Sequence, residues 1–444
     1  MSTLLDGLLL LGYSSPFALI LFLVVRKRSK NERHAVMALQ ESIETGMTQP
    51  VSLHPVIDPL KCIGSGGCVT ACPEGNVIGL INGRAELVEP TRCIGHGACA
   101  AACPHEAISL VFGTAERGVE LPVVQPDFES MVPGIYIAGE LGGMGLVKNA
   151  ITQGTQAMQA IAKRADVENG SKDGALLDVV IVGAGPAGIA AALTAKENKL
   201  RHVLLEQSSF GGTVANFPRR KLVMTAPVDL SLVGKVRFAE VQKEELVDFW
   251  TSLHAEHQFP LHTGIRVDRI ERIDGGHRVI AGEKCFDART VLLAIGRRGT
   301  PRTLNVPGEE LAKVSYSLAD PAQYQHQSVL VVGGGDSAIE AAVSIAEEPG
   351  TTVTLSYRGD AFNRAKKKNR DRLLALEEAG RLSIVLGSEV MQIEKDGVTL
   401  TQDGQTMTMA NDAVIIAAGG VLPTGFLRDI GIEVETHFGD RRIA

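Results

Sequence analysis

The chain lacks any excess of basic charge, and it is poor in cysteine outside one short stretch. The chain has 44 lysines and arginines and 51 aspartates and glutamates, so the formal net charge is −7 at pH 7. This balance gives no sign of a nucleic-acid partner. Six of the seven cysteines fall between Cys62 and Cys103, and only Cys285 lies elsewhere. Such clustering predicts metal ligation and not a disulfide framework.

The stretch around which the rest is organised is Asp178 to Glu206, where an apolar run is followed by three glycines and an Ala-rich segment. Gly183 would allow a tight turn, Gly185 a close approach of the backbone to a pyrophosphate, and Gly188 close packing of helix on strand. The helix N-terminus would present its free N–H groups to the phosphates. Glu206 would accept hydrogen bonds from a ribose hydroxyl. The pattern predicts a dinucleotide site.

A second strand, Gly-rich turn and helix begins at Val329. The strand that follows it ends in Tyr357 and Arg358 instead of an acidic residue. An acid would favour the free 2′-hydroxyl of NAD, whereas a guanidinium favours the 2′-phosphate of NADP, so NADPH is expected rather than NADH. The nearby basic run could instead be a solvated helix face. The predicted nucleotide-binding residues here are Gly333, Gly335, Asp336, Ser337, Ala338, Tyr357, Arg358 and Arg364.

The cysteine-rich window contains two similar runs, Cys62 to Pro73 and Cys93 to Pro104. Each has a Gly-rich interior and ends in Cys-Pro. They resemble the bacterial two-cluster ferredoxin, whose run is C-x2-C-x2-C-x3-C-P. The resemblance implies two iron–sulfur clusters (4Fe-4S or 3Fe-4S), with the last cysteine of each run ligating the other run's cluster.

Carried over to this chain, the resemblance groups Cys62 and Cys68 with Cys103, and Cys93 and Cys99 with Cys72. The second cysteine of each run is missing: Ser65 and His96 stand there. A three-iron cluster, a four-iron cluster with Ser or His as fourth ligand, and a four-iron cluster with an open iron all stay open. His96 is slightly preferred as a ligand, because neutral imidazole binds iron. Zinc is the competing metal, although zinc runs more often show paired C-x2-C.

From Leu176 onward the order of motifs resembles the two-dinucleotide flavoproteins of the thioredoxin-reductase-like family, within the pyridine nucleotide-disulfide oxidoreductase superfamily. The resemblance implies FAD at the first Gly-rich turn, with Gly212, Thr213 and Asn216 near the flavin. The redox-active C-x-x-C of thioredoxin reductases is absent, and Cys285 is expected to be packed. The chain is therefore closer in kind to ferredoxin–NADP reductase-like or bacillithiol-disulfide reductase-like relatives.

One segment lies at a different place in the chain from the one that it has in these flavoproteins. Pro126 to Ala162 resembles the last segment of the same flavoproteins, in which a strand ends at the flavin and a helix points its N-terminus at the ring. Here the strand would be Ile135 to Ala138, Gly139 and Glu140 would contact the flavin, and the helix would begin near Val147. The order implies a circular permutation. The alternatives are a linker with an unrelated helix, or a segment that completes the flavin site of a second subunit.

The N-terminal region from Asp6 to Arg26 is mostly apolar and about long enough to cross a bilayer as a helix. Basic residues follow it directly and none precedes it, so the positive-inside rule places the rest of the chain in the cytoplasm. This predicts a single-pass protein of the cell inner membrane. A buried helix and a cleaved leader are the alternatives.

The expected fold class is α/β. It would contain two Rossmann-like domains, for FAD and NADPH, a small α+β ferredoxin-like domain and one transmembrane helix. The predicted boundaries are 4–25 for the membrane anchor, 26–55 for a juxtamembrane linker, 56–112 for the ferredoxin-like domain, 118–165 for the permuted segment, 175–298 for the FAD domain, 299–413 for the NADPH domain and 414–444 for the return to the FAD domain.

The predicted function is an oxidoreductase that moves electrons between NADPH, FAD and two clusters, to or from a protein partner. The resemblance also implies a homodimer. Two other functions stay open: a small-molecule disulfide or quinone reductase with accessory clusters, and a redox sensor or assembly subunit without turnover.

Overall fold

The computed structural model describes residues 2–45, 48–50, 53–164, 176–219, 221–224, 227–237, 240–297, 299–362 and 365–439, and side chains from residue 19 onward except those of 222, 224 and 240. These residues divide into two compact units, Met1–Val111 and Phe112–Gly439. The first contains both cysteine runs, and the second contains both Gly-rich turns.

The cysteine-rich unit contains two short antiparallel strand pairs. β1 (His54–Ile57) pairs with β4 (Ile108–Val111), and β2 (Ile78–Ile81) pairs with β3 (Arg84–Leu87). The helices α2 (Gly67–Ala71) and α3 (Ala98–Ala101) follow Gly66 and Gly97, which have φ angles of 76° and 75°. Because residues with a Cβ rarely adopt this left-handed conformation, these glycines let each cysteine run turn sharply.

A long helix, α1 (Ser2–Glu44), precedes the strand pairs. Ala35 packs against Val88, and a Cβ on Gly79 would lie 2.5 Å from the Ala35 Cβ, so helix and strand approach closely. The Ser42 hydroxyl donates a hydrogen bond to the Val88 carbonyl at 2.8 Å. The predicted juxtamembrane linker, 26–55, is thus helical up to Glu44, because small residues dock this part of α1 on the sheet.

The side chains of α1 from Leu19 to Val25 are 53% to 64% exposed. Among the residues whose side chains are described, no helix has an apolar stretch long enough to cross a bilayer. Most of the predicted transmembrane segment, 4–25, lies in residues 4–18, outside the described side chains. The predicted span is therefore not confirmed.

The first sheet of the larger unit has a parallel centre. β13 (Leu261–His262), β8 (His202–Leu205), β7 (Leu177–Val182) and β16 (Lys284–Leu293) lie side by side in that order. β15 (Gly276–Ala281) and β14 (Arg269–Ile273) continue antiparallel from the first half of β16. The central strands are continuous apolar runs, as expected where helices cover both faces of a parallel sheet.

The segment that precedes this sheet in the sequence completes it in space. β6 (Ile135–Ile137) pairs parallel with the second half of β16. α4 (Val147–Ala162) packs along α5 (Pro186–Glu197), where a Cβ on Gly154 would lie 2.1 Å from the Ala187 carbonyl oxygen. The arrangement is the one that a circular permutation predicts. The segment is neither a linker nor an addition to a second subunit, because its strand and helix pack on their own chain.

The second sheet of this unit is entirely parallel among the described residues. Its order is β18 (Val314–Ser315), β25 (Ala413–Ile416), β19 (Ser328–Val332), β20 (Thr352–Tyr357) and β21 (Leu382–Leu386). α7 (Asp336–Ala346) and α8 (Lys367–Glu378) contribute buried residues to its core. An antiparallel sheet adjoins it, formed by β22 (Ser388–Ile393), β23 (Gly397–Gln402) and β24 (Gln405–Ala410). The predicted α/β class with two Rossmann-like domains is confirmed.

The chain crosses between the two sheets twice, and the crossings pair as β17 (Thr300–Pro301) and β26 (Gly420–Val421). The other described elements are β5 (Val119–Pro122) paired with β27 (Val434–His437), β9 (Leu222–Met224) paired with β12 (Glu240–Gln242), β10 (Val228–Leu230) paired with β11 (Gly234–Val236), α6 (Lys243–His257), α9 (Thr424–Asp429), and the 3-10 turns Pro90–Arg92, Gly139–Gly142 and Pro321–Tyr324.

Cys285 differs from its prediction. It was expected to be packed, and it is exposed near the start of β16. This half of β16 belongs to an antiparallel ribbon that keeps one face open, whereas its second half, from Thr290 onward, is buried between parallel strands. The expectation of packing is therefore wrong for this residue.

Candidate functional site

One open cleft, with a volume of about 1430 Å³, reaches both Gly-rich turns of the larger unit. A pocket for one small ligand has roughly 300–1,000 Å³, so this cleft has room for more than one. The carboxyl ends of the parallel strands border it, which is where ligands bind in open α/β sheets. The predicted residues that line it are Gly139, Glu140, Gly183, Gly185, Glu206, Gly212, Thr213, Asn216, Gly333, Gly335, Asp336, Ser337, Tyr357 and Arg358.

The glycines of the first turn have different roles. Gly183 has a φ of 103°, and a Cβ on Gly188 would lie 1.8 Å from the Gly183 carbonyl oxygen. Gly188 therefore serves helix-on-strand packing and does not line the cleft. A Cβ on Gly185 would meet no protein atom within 4 Å. The backbone at the start of α5 is thus bare towards the cleft, as a bound pyrophosphate requires.

Glu206 is 5% exposed and already accepts hydrogen bonds from its own chain. The Ala184 N–H donates to its Oε2 at 2.7 Å, and the Ser208 N–H donates to its Oε1 at 2.9 Å. The carboxylate thus ties the turn after β7 to the end of β8. The Ser208 hydroxyl also donates to Oε1, at 3.1 Å, so Oε2 is the oxygen that keeps a further lone pair for the predicted contact with a ribose hydroxyl.

The permuted segment provides a third stretch of backbone that lines the cleft. Gly139 has a φ of 82°, and its N–H donates to Gln153 Oε1 at 2.9 Å. Residues Met144 to Val147, at the start of α4, line the cleft, so the positive end of this helix faces it. Burial lowers the pKa of Arg297, and the nearby Glu140 carboxylate acts against that change. Sequence reasoning missed Gln153 and Arg297, since each approaches its partner only once the chain has folded.

The second turn has the same design as the first. Gly333 has a φ of 143°, and its Cβ would lie 2.4 Å from the Ala417 carbonyl oxygen. A Cβ on Gly335, at the start of α7, would meet nothing within 4 Å. Ala338 is fully buried and packs against Gly333, so it closes the turn without lining the cleft. The bare backbone at Gly335 again fits a pyrophosphate.

The end of β20 forms the far wall of this second turn. The Tyr357 ring lies over Gly334 and stacks on Phe362, with ring centroids 5.5 Å apart and planes 15° apart. Arg358 lines the cleft beside it. The Lys366 N–H donates to Asp336 Oδ1 at 2.9 Å, which holds the start of the basic run beside α7. Arg364 lies outside the described residues.

The first cysteine site consists of Cys62, Cys68 and Cys103, which line one cavity together with Ser65 and His105. Two of these thiols come from the first run and one from the second, which is the grouping that the resemblance implies. Burial raises the pKa of Cys68, and the charges of the other two thiols add to the change.

The second cysteine site consists of Cys72, Cys93 and Cys99. Burial, together with the charges of the other two thiols, raises the pKa of Cys99 to about 11. Burial lowers the pKa of His96, while the charge of Glu74 acts in the opposite direction. Sequence reasoning missed Glu74. The signal for it was the repeat itself, because Glu74 follows Cys-Pro in the first run as His105 does in the second.

The donor set fits iron–sulfur clusters. The Ala85 N–H donates to Cys62 Sγ at 3.4 Å and the Ala107 N–H to Cys103 Sγ at 3.3 Å, and such bonds stabilise negative charge on cluster sulfurs. In the described part of the chain, no group of three or more His, Cys, Asp or Glu side chains is arranged to hold a single metal ion.

Residues 180–439 match the family model described as pyridine nucleotide-disulphide oxidoreductase, and residues 54–104 match that of a 4Fe-4S dicluster domain. A ferredoxin–NADP reductase of Ignicoccus hospitalis is 30% identical over 258 residues, 54% of this chain and 76% of the relative. A thioredoxin reductase of Mycolicibacterium smegmatis is 31% identical over 54% of this chain and 75% of the relative.

Among solved structures, bacillithiol disulfide reductase Bdr from Bacillus cereus is similar to this chain with a TM-score of 0.51 and 23% identity. The similarity covers 57% of this chain and 81% of that protein. At this identity it shows a shared fold and nothing finer.

Gly185 and Gly335 offer a test of the two nucleotide sites. We expect Gly185→Ala to lose FAD and Gly335→Ala to keep FAD but bind NADPH weakly, because each new Cβ enters the cleft and not the protein. The flavin-to-protein absorbance ratio and NADPH titration measure these effects. The free energy of unfolding of the cofactor-free protein should change by no more than about 0.5 kcal/mol.

Gly188→Ala is the matched control, since its Cβ would lie 1.8 Å from the Gly183 carbonyl oxygen. We expect it to destabilise the fold by about 1–3 kcal/mol, as overpacking does. A Gly185→Ala protein that retains a full complement of FAD would contradict the assignment of the first turn.

Proposed function

The chain belongs to the pyridine nucleotide-disulphide oxidoreductase family, and from that premise we propose that it moves electrons between NADPH, FAD and two iron–sulfur clusters and exchanges them with a protein partner. It is an FAD-dependent oxidoreductase joined to a 4Fe-4S dicluster domain. One observation carries the proposal: a single chain combines a cleft containing two bare helix N-termini with two groups of three cysteines.

When bound, NADPH and FAD supply hydride transfer and the clusters supply single-electron transfer. The chain's own contribution is to bind and orient. The bare backbones at Gly185 and Gly335 accommodate the two pyrophosphates. Arg358 supplies a planar guanidinium for a 2′-phosphate. The positive end of α4 favours negative charge in the cleft. Direct hydride transfer between bound cofactors requires no acid or base from the chain.

The alternative of dithiol chemistry has little support. The NADPH domain contains no cysteine at all, and Cys285 is the sole cysteine after Cys103. A relay of the thioredoxin reductase kind needs two neighbouring thiols near the flavin. Electron exchange through the cysteine sites is the function that this architecture supports best, and a ferredoxin–NADP reductase among its relatives fits it.

An anaerobic titration with NADPH, followed by absorbance and EPR, tests the proposal. We expect the flavin to bleach and a cluster signal to appear on the same timescale. A Cys68→Ser, Cys99→Ser double variant should still bleach its flavin, because these thiols lie in the other compact unit, but should give no cluster signal. Clusters that stay silent with NADPH, and that also fail to reduce NADP when reduced beforehand, would refute the circuit.

The preference for NADPH is tested at Arg358. Loss of a charge-assisted hydrogen bond costs about 1.5–3 kcal/mol, so Arg358→Ala should raise the KM for NADPH by roughly one to two orders of magnitude and leave that for NADH unchanged. Lys368→Ala removes an exposed charge from the neighbouring run and is the control. Equal effects of both variants would mean that a diffuse positive field, and not a specific contact, sets the preference.

We also propose that residues 4–25 anchor the chain in a membrane with its remainder in the cytoplasm. The exposed apolar side chains from Leu19 to Val25 and the basic residues after them support this. The full chain should sediment with membranes and be released by detergent but not by high salt. A chain that begins at Arg26 should be released without detergent and keep its flavin. A full chain found only in the supernatant would contradict the anchor.

A further inference from the structure

The second cysteine site (Cys72, Cys93 and Cys99) adjoins a carboxylate oxygen that has no partner. Glu74 Oε1 is buried and makes no hydrogen bond. A buried acceptor left unpaired is unfavourable, because it has lost its water without gaining a donor. Such an atom indicates a donor that becomes available only when the site is loaded.

The position of Glu74 is fixed by the second cysteine run. Arg92 Nη2 donates to the Glu74 carbonyl oxygen at 2.8 Å, and Arg92 Nη1 donates to Glu89 Oε2 at 2.9 Å. Arg92 immediately precedes Cys93 in the chain, and Cys72 lies two residues before Glu74. The guanidinium thus ties the end of one run to the start of the other, and Glu74 is held where both contribute thiols.

The hydrogen bond from Arg92 places Glu74 beside the start of the second run, because Arg92 directly precedes Cys93. The electrostatic effect of Glu74 on the pKa values of Cys93 and His96 agrees with this placement. His96 stands three residues after Cys93, where the run of a two-cluster ferredoxin has its second cysteine. Imidazoles that bind a metal through one ring nitrogen commonly donate the other ring N–H to a carboxylate, which fixes their orientation.

We propose that Glu74 is the positioning residue of His96 at the second cysteine site. Its carboxylate accepts the N–H of the imidazole nitrogen that faces away from the iron, so that His96 completes the ligand set of Cys72, Cys93 and Cys99. The inference rests on the proposed function, because it requires a cluster at this site.

The first cysteine site lacks this arrangement. The residues that correspond to His96 and Glu74 in the repeat are Ser65 and His105, which line the cavity of Cys62, Cys68 and Cys103. A hydroxyl therefore replaces the imidazole, and no carboxylate stands in the position of Glu74. Nitrogen ligation supported by a carboxylate is thus specific to the second site.

The test uses the full chain with its clusters, characterised by iron and sulfide content, redox titration and pulsed EPR. One cluster of the wild type should show strong nitrogen hyperfine coupling, which His96→Cys removes while the cluster is retained. Glu74→Gln should weaken or alter this coupling and raise the potential of the same cluster, because a negative charge no longer opposes the added electron. Its iron should be retained about 10- to 100-fold less well against a chelator.

Glu86→Gln is the matched control, since it removes one carboxylate from an exposed position of β3 in the same unit. It should leave the coupling, the potential and iron retention unchanged. In the His96→Cys background Glu74→Gln should no longer affect iron retention, because no imidazole is left to position. An equally large loss in that background would overturn the inference, because Glu74 would then retain iron without acting through His96.

The remaining outcomes separate this inference from the proposed function. Wild-type protein with clusters but without strong nitrogen coupling would overturn the role of Glu74 and leave the electron-transfer function standing. Wild-type protein without iron and sulfide would remove both. A Glu74→Gln protein that matches the wild type in coupling, potential and iron retention would overturn the inference alone.

Discussion

The cleft depends on two close contacts between backbone segments, at positions where a glycine is required because any side chain would collide with a carbonyl oxygen. Gly188 lies on the Gly183 carbonyl, and Gly154 lies on the Ala187 carbonyl. A Cβ at either position would approach a carbonyl oxygen to about 2 Å, which no relaxed structure permits. These two contacts seat α5 on its sheet and α4 on α5, and together they bring the N-terminal ends of both helices to one opening. The distance between these two helix ends follows from them.

Neither of these contacts depends on the order of the elements in the chain. α4 and β6 precede the first Gly-rich turn in sequence and still pack against α5 and β16 as neighbours in space. The pairing of β5 with β27 brings the beginning and the end of the larger unit together. Termini that meet in this way are what makes permutation compatible with a preserved core. The freed end at Phe112 is the point at which the cysteine-rich unit joins.

The parts of the site that the sequence predicted are those set by local backbone geometry. A turn such as Gly183–Gly188 is specified within a few residues, and so is the change from apolar run to helix. The roles of Gln153 and Glu74 were not predictable in this way, because each depends on a partner brought close by folding. Cys285 shows the same limit. Its strand pattern was clear, but only the neighbours of β16 decide which half of that strand is covered.

The interleaving of the two cysteine runs has a chemical consequence beyond structural economy. Since each run gives its last cysteine to the other site, it also gives the residue after Cys-Pro, and so Glu74 and His105 reach opposite sites. A carboxylate disfavours an added electron, whereas backbone N–H groups bond cysteines at both sites and favour it. The charge beside the cysteines and the residue at the fourth position, Ser65 or His96, are therefore what differ between the two sites. Single residues at equivalent positions of the repeat can thus give two sites with the same number of cysteines different potentials, and a difference in potential directs electron flow between carriers.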